Sequence, residues 1–159
     1  MIKTDAQLER TRAQVAGLTD AIRQIEAGGA GALPAEALKA VVESHEGMIA
    51  KLEAEIEEYG DLKRGVIRLP DLATPRDFVA HLSKFRVALG ITQEQLAAMV
   101  GVSRQTINKH EEQEYQLADV NFVSRVIDAL GILPQVTVRH KTLEVRQPAA
   151  SARRRRQEA

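Results

Sequence analysis

The sequence predicts a mainly α protein. It should have an N-terminal antiparallel helical hairpin of coiled-coil character, then a compact five-helix unit, then a short C-terminal β segment. Three observations lead there. Two long stretches carry heptad-spaced apolar residues and are separated by a glycine-rich break. Between 75 and 132 come short amphipathic segments with capping residues at their starts. After Gly131 the apolar period changes from helical to two.

The first helix is expected over residues 4–26. Leu8, Thr11, Val15, Leu18, Ile22 and Ile25 alternate at spacings of three and four, which places them on one seam. The run Gly28 to Leu33 interrupts it, and Pro34 suits the start of the next helix. That second helix should reach about Tyr59, with Leu38, Val42, His45, Ile49, Leu52, Ile56 and Tyr59 on its seam. Val41 and Met48 widen the apolar face, so it should meet more than one partner helix. His45 reads best as a polar seam position that fixes register. Residues 1–62 thus form a hairpin for oligomerisation or partner binding, and 63–74 a linker. Within the linker Val66, Ile67 and Leu69 could run extended, and Pro70 bars a long helix.

Thr74, Pro75 and Asp77 form a helix start, followed by Phe78, Leu82, Phe85 and Leu89 as an inner face. Thr92 and Gln95 make a capping box ahead of Leu96, Ala97 and Val100. Gly101 fits a left-handed turn, where a β-carbon is costly. Val102 plugs the small core, Ser103 caps the next helix, and Ile107 buries that helix's inner face. Asp119 caps a last helix whose Phe122, Val123, Val126, Ile127 and Leu130 point inward, and Gly131 ends it. The unit spans 75–132. Over 133–146, Val136 and Val138, then Leu143 and Val145, suggest two short strands around His140-Lys141, or one long one. These are expected to pair with a second subunit, since a lone hairpin is marginal. Residues 147–159 read as a disordered basic tail, with Arg153–Arg156 a solvated run.

Composition removes several function classes. The 159-residue chain has no cysteine, so disulfides and thiolate metal sites are out. No apolar run approaches the roughly 20 residues that span a bilayer. The four histidines are scattered without metal-ligand spacing, so no metal is expected, and no cofactor. The glycines at 28–31 lie between helices rather than after a strand, which argues against a nucleotide loop. Glu53, Glu55, Glu57 and Glu58 fit a solvated helix face, and no catalytic constellation or enzyme activity is expected. The formal net charge of zero conceals an asymmetry: acids predominate over residues 1–62, bases over 63–112. An acidic arm joined to a basic unit suits a protein that places only one part on nucleic acid.

Residues 92–111 have the layout of a helix-turn-helix. The second helix presents Arg104, Gln105, Asn108 and Lys109 outward. Arg forks onto guanine, Gln and Asn onto adenine, and Lys onto guanine or phosphate. The segment resembles the Cro/CI-type (XRE) helix-turn-helix family. The resemblance rests on Thr92-Gln93-Glu94-Gln95-Leu96-Ala97, on Gly101-Val102-Ser103, and on Ile107 with Glu111. It covers residues 75–132 and implies a five-helix lambda-repressor-like domain. It also implies a phosphate contact from Gln93, base contacts from Arg104, Gln105 and Lys109, and a DNA-binding set completed by Ser103, Thr106 and Asn108. One departure stands out: Glu111-Glu112-Gln113-Glu114-Tyr115 replaces the family's Glu-x-Gly. The helix would then run longer or have its exit anchored by Tyr115. The whole chain, through Met1-Ile2-Lys3 and Ile56 to Lys63, is similar to bacterial and prophage XRE regulators that carry an N-terminal hairpin.

The expected function is therefore a homodimeric, sequence-specific repressor that binds a double-stranded DNA operator in a bacterial cytoplasm, associated with the nucleoid. The alternative is an antitoxin of a type II toxin–antitoxin system, with a protein toxin as partner and its own operon as target.

Overall fold

A computed structural model describes residues 1–28, 34–70 and 74–135. Among them are seven helices: α1 (Asp5–Glu26), α2 (Ala35–Lys63), α3 (Pro75–Ala80), α4 (Leu82–Ala88), α5 (Gln93–Val100), α6 (Arg104–Glu112) and α7 (Val120–Ala129). No strand occurs among the described residues. The expected β segment falls mostly on 136–146, outside them, as does the basic tail; Leu133 to Gln135 have no regular structure.

α1 and α2 lie side by side, with the first turn of α1 against the last turns of α2. Thr4 caps α1, its hydroxyl accepting from the Gln7 N–H at 3.2 Å. Tyr59 Oη donates to Asp5 Oδ1 at 2.8 Å, and Lys63 Nζ lies 3.5 Å from the same oxygen. The seam residues foreseen from the heptads are only half-buried along most of the pair. α1 contains no buried residue, and α2 buries only Tyr59, Asp61 and Leu62. Two helices cannot enclose their own seam.

α2 runs one turn further than its apolar pattern alone suggests, to Lys63. The extra turn carries Leu62 to 1 % exposure. There it joins Ile2, Tyr59 and Val87 in a second, smaller core, with Leu8, Ile56, Ile67 and Ala88 at its edge. Gly65, at φ 79°, closes the helix in the left-handed region. Val66 to Pro70 follow without regular structure.

α3 to α7 surround the main core of Leu82, Leu96, Ala97, Val100, Ile107, Tyr115, Phe122, Val126 and Leu130. α3 starts as its sequence suggests, with Thr74 and Asp77 forming a capping box and Pro75 in the first turn. The helix breaks at His81, yet Phe78, Leu82 and Phe85 all reach the main core as expected. Within α4, Leu82, Ser83, Arg86 and Val87 are buried, whereas Leu89, expected inside, is 54 % exposed. Leu89 lies beyond the end of α4 as its C-cap, and Val87 takes the inward position against α2.

Candidate nucleic-acid interface

The geometry of α5, its turn and α6 follows from local chemistry. Thr92 Oγ1 accepts from the Gln95 N–H at 3.1 Å, and Gln95 Oε1 accepts from the Thr92 N–H at 2.8 Å. These bonds satisfy donors that a helix start otherwise leaves open. Leu96, Ala97 and Val100 then face the core. Gly101 turns the chain at φ 76°, and Val102 N–H returns to Ala97 O at 2.9 Å. Ser103 Oγ accepts from the Thr106 N–H at 3.0 Å and so starts α6. Ile107, fully buried, fixes the rotation of α6 about its axis.

With Ile107 inside, Arg104, Gln105 and Lys109 are exposed on the opposite side, together with the cap Ser103. Thr106 is half-buried, its hydroxyl 2.8 Å from that of Ser103. A shallow groove lined by Ser103, Gln105, Thr106, Asn108, Lys109 and Glu112 runs along this face. One candidate residue is placed differently from its expected role. Gln93 is only 3 % exposed, and its Nε2 donates to Glu111 Oε2 at 2.8 Å and to Asn108 Oδ1 at 3.2 Å. Asn108 in turn donates to Glu112 Oε1 at 2.8 Å. Gln93 therefore serves a chain of hydrogen bonds between α5 and α6, while Asn108 joins that chain from the groove it shares with Gln105 and Lys109; Arg104, Gln105 and Lys109 are the fully exposed members of the set.

Beneath that face lies a buried ion pair that periodicity did not reveal. Arg86 Nε and Nη2 meet Glu111 Oε1 and Oε2 at 2.5 and 2.9 Å. Their side chains are 3 % and 0 % exposed. Arg86 Nη1 also donates to Ile91 O at 2.7 Å, and Nη2 to Lys3 O at 3.1 Å. Lys3 Nζ donates to the backbone carbonyl of Glu111. Burial holds the Lys3 ammonium below its ordinary 10.5, against the opposing pull of Glu111. Such a forked pair is stable inside only when its remaining donors are satisfied, as they are here. The available clue was a charge, Arg86, on a helix face that otherwise reads as apolar.

The exit of α6 is tight. The helix stops at Glu112, and Glu114 and Tyr115 both adopt positive φ, 50° and 56°. Side chains with a β-carbon pay about 1–2 kcal/mol in that region. Tyr115 offsets this by burying its ring to 1 % exposure beside His110 and Phe122. Its N–H bonds His110 O at 2.7 Å. Of the two exits the sequence allowed, the one anchored by Tyr115 is realised. Burial raises the Tyr115 phenol pKa well above its usual range.

Residues 82–135 match the family model described as helix-turn-helix. This domain is an XRE-type helix-turn-helix. The match opens at the first residue of α4 and takes in α5, the Gly101 turn, α6 and α7, so the helix-turn-helix carries the whole exposed polar face described above. α1, α2 and α3 lie outside it. No curated protein and no solved structure matches the chain in the same comparisons. No helix among the described residues is long and apolar enough to cross a membrane.

Proposed function

We propose that the protein is a transcriptional repressor that binds a double-stranded DNA operator sequence-specifically, as a homodimer, in the cytoplasm. The observation that carries this reading is the outward set on α6. Arg104, Gln105 and Lys109 are exposed, while the helix is locked from below by Ile107 and by the Glu111–Arg86 pair. Rigid backing of three side chains that fit base edges is what direct readout needs. Two such helices, one per subunit, would enter successive major grooves about 34 Å apart and exclude polymerase.

The dimer contact in this reading is the α1–α2 pair acting as an antiparallel hairpin. Its seam is half-open, and Val41 and Met48 add exposed apolar surface at 37 % and 43 %. A second hairpin would close the seam as a four-helix bundle. In the antitoxin reading a toxin would occupy the same seam. Light scattering on the purified chain separates the two. A dimeric mass that Val41→Glu with Met48→Glu reduces to a monomer supports the repressor dimer. A wild-type chain that is monomeric at micromolar concentration removes it and leaves the seam for another protein.

A further inference from the structure

A cleft of about 240 Å³ separates the helical pair from the recognition helix, and its walls come from both. On one side are Tyr59 and Lys63 at the end of α2; on the other is Arg104 at the start of α6. The first turn of α5, Thr92 to Glu94, forms the floor. Four cations line it: Lys3, Lys63, Arg86 and Arg104. Arg86 and Lys3 are already committed to Glu111. Lys63 and Arg104 also line the cleft, beside a helix start that itself carries partial positive charge. Asp5 and Glu94 also line the cleft. Asp5 is engaged by Tyr59 Oη and by Lys63, and the Lys63 side chain is still 49 % exposed.

We propose that this cleft holds one backbone phosphate of the operator and that Lys63, a residue of α2 outside the helix-turn-helix, is a DNA-contacting group. Arg104 places the cleft at the N-terminal end of the recognition helix, the end from which such helices meet bases. A strand read there must lay a phosphodiester beside it. A phosphate between Lys63, Arg104 and the start of α5 would fix the register of α6 in the groove, and it would tie the position of the helical pair to DNA binding. The proposal rests on the DNA-binding reading above.

The test uses the full chain and a labelled duplex of about 30 base pairs that wild type enriches from a random-sequence pool, titrated between about 0.05 and 0.2 M salt. Loss of one phosphate contact lowers the slope of log K against log salt by about 0.9. Lys63→Gln should show that decrease and bind about five- to tenfold more weakly near 0.1 M salt, with unchanged base preference. Lys63→Arg should restore both. Lys51→Gln, which removes the same charge from an exposed site on α2, should behave as wild type. A neutral methylphosphonate, moved along the backbone beside the enriched bases, should weaken wild type most at one position and weaken Lys63→Gln clearly less there, because Arg104 still faces that phosphate. A Lys63→Gln slope equal to that of wild type overturns the inference while leaving the DNA reading intact. A wild-type chain that enriches nothing and binds no duplex overturns both.

Discussion

Glu111 joins three parts of the chain through one residue. Its carboxylate takes Arg86 from α4 and Gln93 from α5, and its carbonyl takes Lys3 from the N-terminal segment. Glu111→Gln would leave the Arg86 guanidinium buried without its counter-charge, a loss on the order of 3–5 kcal/mol. Against a typical stability of about 5–15 kcal/mol, that is enough to lower the urea midpoint sharply with little change in slope. A midpoint within error of wild type would mean that the pair is not a support of the fold. At this scale, what sequence conveyed was local. Thr92, Gln95, Gly101 and Ser103 act within four residues of themselves, and each was legible. Arg86 and Glu111 meet across 25 positions, and no short-range pattern encodes that contact. Gln93 and Asn108 were identified as polar groups near the right surface, but the Glu111 carboxylate that buries Gln93 was not visible from spacing.

Among the elements, α1 and α2 each carry a glycine in mid-helix, Gly17 and Gly47, with open space around the position a β-carbon would take. Glycine in a helix interior costs roughly 0.5–1 kcal/mol relative to alanine. Gly17→Ala and Gly47→Ala should each raise the unfolding free energy by that increment, and the melting temperature with it, if these faces meet only solvent. A drop in either, together with a smaller assembled mass, would place a neighbouring helix there. The α3–α4 break makes a second prediction. Burial, then the Lys84 ammonium, hold the His81 imidazole below its ordinary 6.5, while Glu114, Glu58 and Asp77 partly oppose the shift. A histidine harder to protonate when folded contributes stability above 6.5, and that contribution is lost as pH falls below it. Melting temperature should therefore decline on acidification from 6.5, and His81→Gln should decline less; parallel curves would exclude His81 as the cause. Leu82 and Phe85 keep their expected inward places across that break; Leu89 does not, because α4 ends at Ala88 and helical counting no longer applies to its C-cap.

For the whole molecule, the sequence separated an N-terminal arm from a reading unit with a linker between them. The two are joined more closely than that. Ile2, Tyr59 and Leu62 cover Val87 of α4, and Lys3 supplies both an acceptor for Arg86 and a donor for the end of α6. Such docking depends on which surfaces meet across long separations, and amphipathic period alone does not specify it. Deleting residues 1–62 should therefore lower the unfolding midpoint of the remaining domain as well as its DNA affinity. An isolated domain as stable as the same domain within the full chain would show that the docking contributes nothing. The central claim is that α6 reads bases through Arg104, Gln105 and Lys109. The most direct measurement is selection from a random duplex pool by wild type and by Gln105→Ala and Arg104→Ala. Wild type should enrich a motif with half-sites about one helical turn apart. Each variant should keep the spacing, lose preference at its own base position, and bind the wild-type site about 1–3 kcal/mol more weakly. Enrichment of the same motif with the same affinity by all three proteins would contradict the assignment of the reading face.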